Sequence, residues 1–331
     1  MRNALSLSLI FSLLFPLLLL FSSCSDARWT RTEYGYFDTV ITVTGYGMSE
    51  NEFKTTTDEV FRILRYYHSL TDIYTEAEGT LYELNEKAGV SPVALPDDLL
   101  LFLEETLALS EKTGGSINMM MGSVLSLWHT ARETGVLPSS DALREAALHT
   151  SPTLLSLDRQ NGTAEILDPY ASVDVGAVAK GYAAEKAADH LRENEKSGYL
   201  LDLGGNVVAV GDKMGTPFTV GIRDPIGDGI KAKALLSDAA LVTSGSYLRY
   251  FTVGDTSYHH IISPDTLYPA DTLLSVTVYA SDSGVADLLS TAFFVLGRDA
   301  AEEILKEFSG VSALFIEKDG TAVNTEGFPL A

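Results

Sequence analysis

Residues 173–191, VDVGAVAKGYAAEKAADHL, decide how this chain is read. Val173 and Val175 read as the end of a strand, Gly176 to Gly181 as a small-residue turn, and the alanine-rich remainder as a helix. Glycines and a lysine, Lys180, at the mouth of a helix suit a phosphate. The first helical N–H groups have no partner inside the helix, and the helix dipole favours negative charge there. The spacing G-x-x-x-K-G is neither a P-loop nor a dinucleotide-binding fingerprint. Taken alone, such a turn also serves plain close packing.

Outward from that turn, the chain mixes both kinds of element. DTVITVTGYG (38–47) alternates polar and apolar residues and predicts a strand. Residues 51–70 carry Phe53, Val60, Leu64 and Tyr67 at helical spacing. LPDDLLLFLEETLALSEKTGG (95–115) predicts a helix opened by Pro96 and Asp97 and closed by Gly114 and Gly115. A further helix is expected at 140–150, then strands at 154–158, 163–167, 199–210, 217–223, 233–243, 247–253, 257–262 and 273–280. Helices at 282–296 and 299–308 and a strand at 312–317 complete the pattern. Helices and antiparallel-looking strands are partly segregated, which predicts an α+β fold. Glycines interrupt two strands, in DLGGN (202–206) and TSGSY (243–247), where a ligand or another backbone can come close.

The chain opens with MRNALSLSLIFSLLFPLLLLFSSCS: one positive charge, an apolar run from Ala4 to Phe21, and small residues before Cys24. That is the layout of an export signal, and the run is also long enough to serve as an uncleaved anchor. Cys24, the only cysteine, sits where a bacterial lipoprotein signal is cut and its new N-terminus lipidated. A lone exported cysteine has no partner for an internal disulfide. The division expected is a lipoprotein signal at 1–23, a lipidated tether at 24–31 and one domain at 32–331, held on the exported side of the bacterial cytoplasmic membrane. Removing residues 1–23 takes away only Arg2, so the formal charge moves from −22 to −23. Such acidity argues against nucleic acid as a partner and gives no electrostatic attraction to anionic lipid. An anionic ligand must therefore be met by local devices.

DSGVADLLSTAFFVLG (282–297) is almost wholly apolar, yet Asp287 lies in its middle with Ser290 and Thr291 three and four residues on. The three oxygens share one helix face. A carboxylate there costs several kcal/mol unless partnered. A lysine or solvent satisfies it in the bland reading, with Thr291 bonding back to its own helix. A hard cation, which takes oxygen ligands, is the functional alternative. In YHHIISP (258–264), strand alternation sends His259 and His260 to opposite sides. A strand histidine is commonly structural; here one of the pair is free to enter a site.

In order along the chain, YFDTVITVTGYG (36–47), LTDIYTEAEGTLYELN (70–85), TGGSINMMMGSVLSLW (113–128), VDVGAVAKGYAAEKA (173–187), YLLDLGGNVVAVG (199–211), VTSGSYLRYF (242–251), YHHIISPDTLYPA (258–270) and SVTVYASDSGVADLLSTAFFVLG (275–297) resemble the ApbE-type FAD:protein FMN transferases, or flavin-trafficking lipoproteins. The resemblance covers essentially the whole mature chain. It implies an ApbE-like fold of mixed, largely antiparallel sheets with flanking helices and an FAD site between lobes. It also implies a reaction: FAD binds with Mg²⁺ at its diphosphate, AMP leaves, and FMN is attached to a Ser or Thr hydroxyl of an exported partner protein. Some members instead hydrolyse FAD to FMN and AMP. A non-catalytic FAD-binding lipoprotein is a further alternative, whereas a solute-binding lipoprotein needs two similar lobes and a hinge that the sequence does not display.

Carried over residue by residue, the resemblance makes the Ala177 carbonyl, Asp287, Thr291 and the more variable Ser290 the metal ligands. Asp174 and Lys180 match positions touching the flavin nucleotide, and His260 matches the histidine that helps ionise the acceptor hydroxyl. Lys180 and Asp287 join His260 as the catalytic set. Phe37, Tyr74, Ser116, Ile117, Asn118 and Ile262 match positions lining the FAD pocket, with Tyr74 able to stack on a ring. Plain core packing is the alternative for Phe37, Ile117 and Ile262. The chain departs from the family pattern at three places. Phe37-Asp38-Thr39 stands for Met-Gly-Thr, Asn118 for Asp, and Ser263-Pro264-Asp265-Thr266-Leu267 for Asp-Pro-x-Thr-Gly.

Overall fold

The structure is a computed structural model that describes residues 27–247 and 249–331. The expected signal at 1–23 and Cys24 lie outside the described residues. In chain order the elements begin with β1 (Arg28–Tyr36), β2 (Thr39–Tyr46), α1 (Glu50–Thr71), α2 (Leu81–Glu86), β3 (Val93–Ala94), α3 (Asp97–Lys112), α4 (Gly122–Thr134) and α5 (Ser140–Ala147). They continue with β4 (Leu155–Asp158), β5 (Thr163–Ile166), α6 (Ala179–Glu193), β6 (Tyr199–Leu203), β7 (Asn206–Val210), β8 (Phe218–Arg223), β9 (Ile230–Leu236) and β10 (Ala240–Gly245). The last are β11 (Tyr250–Val253), β12 (Thr256–His259), β13 (Ser275–Ala280), α7 (Ser283–Leu296), α8 (Arg298–Leu305), β14 (Ser312–Ile316) and β15 (Ala322–Asn324).

An eight-stranded sheet in the order β1-β2-β6-β7-β10-β13-β14-β15 carries the molecule, and each neighbouring pair in it is antiparallel. This is the expected α+β architecture. Helices α1, α6 and α7 cover one face, with Phe293 and Phe294 fully buried beneath them. Ala183, Ala184, Ala187 and Ala188 give α6 a small-residue face, so it can press close to α7 and the sheet. The hairpin β8–β9 and Phe328 seal the opposite face over Val207, Ala209, Leu241 and Leu314. Both faces of β7 are therefore buried, which explains why VVAV lacks the alternation of a half-exposed strand. No helix among the described residues is long and apolar enough to cross a membrane.

Several boundaries differ from the sequence expectation, each for a local reason. The strand expected at 199–210 is a hairpin: Gly204 and Gly205 take φ of +66° and +98°, and Asp202 Oδ1 accepts the Gly205 N–H at 3.0 Å. Likewise 233–243 breaks into β9 and β10 around Asp238, at φ +43°. The strand end read before Gly176 is only a single bridge between Met121 and Ser172. Strands β1, β3 and β15 and helices α2 and α4 were not expected. In β1 the inward residues are only half-buried at the sheet edge, so its apolar signal is weak.

Candidate active site

The α6 mouth answers the question raised by the glycine–lysine turn. Its N-cap residue, Val178, offers no side-chain acceptor. Instead Asp287 Oδ2, from the middle of α7, accepts the Gly181 backbone N–H at 2.8 Å and lies 3.4 Å from Lys180 Nζ. The carboxylate is 3% exposed. A helix N-terminus and a lysine thus stabilise a buried charge that α7 alone would not tolerate. Gly181 is needed for the approach: a Cβ there would stand 2.4 Å from the Asp287 Cβ and 2.4 Å from the Ser283 carbonyl oxygen.

This pair forms part of the wall of a cleft of about 860 Å³. That volume lies toward the upper end of small-molecule sites, about 300–1,000 Å³. Phe37, Tyr74, Ser116, Ile117, Asn118, Asp174, Ala177, Lys180, His260, Ile262, Asp287 and Thr291 all line it. Ser290 is the exception. It is fully buried, and its hydroxyl pairs with Ser244 Oγ at 2.9 Å and donates to the Asp287 carbonyl at 3.0 Å. Ser290 therefore faces the sheet rather than the cleft. Thr291 reaches the cleft while also bonding back to the Asp287 carbonyl at 3.2 Å.

The donor set fits a hard divalent cation. Asp287, Thr291 and Ala177 all line the cleft, and each carries an oxygen of the kind such a cation takes: a carboxylate, a hydroxyl and a backbone carbonyl. Among the described residues no three His, Cys, Asp or Glu side chains cluster, so a site rich in imidazole or thiolate is not what these residues build. A single carboxylate with neutral oxygens suits Mg²⁺, which usually keeps waters and shares substrate phosphates. Ser116 Oγ and Asn206 Nδ2, buried and without a partner, belong to residues lining this same cleft. Unsatisfied buried polar atoms of this kind are expected where a polar ligand completes the bonding.

His260 lines the same cleft. It follows β12 directly, and its ring opens into the cleft. Enclosure by the cleft walls, then the Arg249 and Lys180 charges, hold its pKa below the usual imidazole range. It is neutral at pH 7 and able to accept a proton. His259 points away: its Nε2 meets the Ala270 carbonyl at 2.8 Å, and its ring stands edge-on to Phe294 at 5.4 Å. Arg249 Nη2 donates to the carbonyls of Phe37 at 3.0 Å and Asp38 at 2.7 Å, tying the β1–β2 turn to the His260 side.

Arg249, Asn206, Ser244, His129 and Arg132 line the cleft but were not singled out from the sequence. For His129 and Arg132 a signal existed. Val124, Trp128 and Ala131 are buried at helical spacing between Gly122 and Gly135, and α4 follows from that pattern.

Known proteins share this fold and sequence pattern. The ApbE family pattern matches residues 37–315. The FAD:protein FMN transferase of Treponema pallidum is 36% identical over 279 residues, 79% of this chain and 77% of that one. The Klebsiella pneumoniae enzyme of the same name is 30% identical over 78% of this chain and 81% of its own. Among solved structures, the ApbE protein of Thermotoga maritima superposes with a TM-score of 0.82 at 26% identity, covering 91% of this chain and 97% of that one. The Pseudomonas stutzeri flavinyl transferase ApbE, at 24% identity and a TM-score of 0.76, covers 91% and 94% and shows the same fold. With the family pattern running from the Phe37 turn through β14, this chain belongs to the ApbE family.

Proposed function

We propose that this chain is an FAD:protein FMN transferase. In this reading it moves FMN from FAD to a Ser or Thr hydroxyl of an exported protein, with Mg²⁺ bound and AMP leaving. The observation that carries the proposal is the convergence of Lys180, Asp287, Thr291 and His260 on one cleft. The acceptor oxygen attacks the phosphorus of the FMN half, the P–O bond to the AMP half breaks, and AMP departs with the bridging oxygen. His260, neutral at pH 7, takes the hydroxyl proton and returns it to solvent. Lys180 lies where it can offset charge building on the leaving phosphate. A bound Mg²⁺, held by Asp287, Thr291 and the Ala177 carbonyl, supplies further neutralisation of the diphosphate. Asp174 and the residues from Ser116 to Asn118 line the nucleotide side.

The openness of His260 to the cleft favours a second reading, FAD pyrophosphatase activity, because water can take the place of the acceptor hydroxyl. The enzyme would act outside the cytoplasmic membrane, tethered by a lipid on Cys24. Incubating purified protein with FAD and Mg²⁺, with and without a candidate acceptor, tests the assignment. AMP release together with an FMN adduct on the acceptor is the expected result. Equal AMP release without acceptor selects the pyrophosphatase, and no AMP under either condition rejects both.

A further inference from the structure

Tyr74 is 70% exposed on the loop that follows α1, a setting in which a phenol ring normally samples several rotamers. Here it is tied at both ends. Its backbone N–H donates to Asp72 Oδ1 at 2.9 Å, and its hydroxyl meets His129 Nδ1 at 2.8 Å across 55 residues of sequence. His129 projects from α4 into the same cleft wall, beside Asp174 and Arg132. Burial holds its pKa below the usual imidazole range, so the ring is neutral and can accept the tyrosine proton when Nε2 carries the imidazole hydrogen.

The helix behind His129 is itself fixed. Its neighbour Trp128 is buried, and the indole Nε1–H donates to the Leu267 carbonyl at 2.9 Å on the loop beyond His260. Two adjacent residues of α4 therefore reach two separate loops: Trp128 the one beyond His260, and His129 the one that carries Tyr74. The Tyr74 ring is set before any ligand arrives.

We infer that His129 is a positioning residue which, through its bond to the Tyr74 hydroxyl, fixes the phenol ring as a flat wall against which a planar ring of the bound dinucleotide stacks. The inference rests on reading the cleft as the FAD site. Its physical content is preorganisation: a side chain already immobile in the free protein loses no rotamer freedom on binding. Removing the tether should cost affinity without touching the reacting atoms.

The test uses the full chain with FAD and Mg²⁺ and compares the parent with Tyr74→Phe, His129→Leu, the double variant and His129→Asn. The last places an amide oxygen near the position of Nδ1 and keeps an acceptor for the hydroxyl. Flavin fluorescence titration reads Kd, AMP release reads KM and kcat, and thermal unfolding without ligand reads the fold. Tyr74→Phe and His129→Leu should each raise Kd and KM about three- to tenfold, as loss of one preorganised side chain implies. The double variant should be no worse than either single, because both remove one bond. kcat and the ligand-free melting temperature should hold, and His129→Asn should recover most of the affinity. Multiplying effects, an unchanged Kd in His129→Leu, or a fall in kcat at saturating FAD would overturn the inference while leaving the FAD reading intact. A parent that binds no FAD would overturn the reading of the site itself.

Discussion

The Gly181 N–H and the Asp287 carboxylate meet at 2.8 Å although 106 residues separate them. This bond makes one site of two helices: α7 supplies the charge, and the first turn of α6 makes that charge tolerable. Adding a methyl group at Gly181 should separate them. Gly181→Ala is expected to lower stability by about 1–3 kcal/mol, the usual range for overpacking, and to lose Mg²⁺-dependent FAD cleavage. Urea unfolding and AMP release check the two effects. A Gly181→Ala protein with parental stability would mean that the contact is looser than the structure places it.

Asp287→Ala removes the only carboxylate of the proposed metal set. AMP release should fall by about 10²-fold or more, in line with loss of a principal electrostatic group. FAD should still bind through the remaining cleft. Ala177→Ser should be far milder, since the backbone carbonyl is the proposed ligand. Titrating activity against Mg²⁺ in both variants separates a lost metal site from a damaged fold. Parental, Mg²⁺-requiring turnover by Asp287→Ala would reject the ligand assignment.

His260→Ala should slow FMN transfer by about 10²- to 10⁴-fold, the usual worth of a general base, with FAD affinity near normal. His259→Ala should do much less to transfer, because that ring is committed to Ala270. Mass spectrometry of the acceptor and fluorescence titration supply the readouts. Equal, parental transfer by both variants would place the base elsewhere.

The pH dependence follows from the same histidines. His129 and His259 have pKa values lowered in the fold chiefly by burial, and His260 has its own lowered by the enclosing cleft walls and the Arg249 and Lys180 charges. The unfolded chain then binds more protons than the folded one as pH falls through the unfolded value, about 6.5, so stability declines on that side. The loss levels off below the folded pKa values. The acid limb of activity assigned to His260 should accordingly lie below the ordinary imidazole range. Stability curves and rate profiles from pH 8 to pH 4 test both statements.

Two departures from the family pattern fall where glycine is physically favoured. Asp38 replaces a family glycine at φ +50°, and Leu267 replaces another at φ +62°. Asp38 is exposed and follows Phe37, itself at φ +52°, in the two-residue β1–β2 turn. Asp38→Gly should therefore stabilise the protein by about 1 kcal/mol, the order of the left-handed penalty. Leu267→Gly should be closer to neutral, since Leu267 packs with the Trp128 cluster and that contact would be lost. Chemical denaturation of the two variants distinguishes these outcomes.

Cys24 offers a separate test of location. Cys24→Ala should free the protein from the membrane fraction or leave the leader uncut. Unchanged membrane retention with a normally processed N-terminus would exclude the lipid anchor.

The local signals in this sequence determined six of the eight α-helices among the described residues, α2 and α4 being the exceptions. Asp282 ahead of α7 accepts the Val285 N–H at 2.8 Å, and Gly297 ends that helix, as punctuation and apolar content imply. Residue chemistry and spacing singled out Lys180, Asp287, Thr291 and the His259–His260 pair, whereas Phe37, Tyr74, Ser116 to Asn118, Asp174, Ala177 and Ile262 were legible only through the family resemblance of the stretches that carry them. Packing decided the rest. Ser290 and Thr291 lie on either side of Asp287 along α7, about 100° apart; both hydroxyls reach Ser244 on β10, and only the packing of α7 on the sheet buries Ser290 completely and leaves Thr291 at the cleft. Strand β1 lies at the sheet edge and gave little periodic signal. The Tyr74–His129 and Gly181–Asp287 bonds join segments far apart in the chain, and no local propensity encodes a partner. Sequence periodicity reports which face of an element is buried; what lies opposite that face is decided only when the sheet and its three covering helices close together.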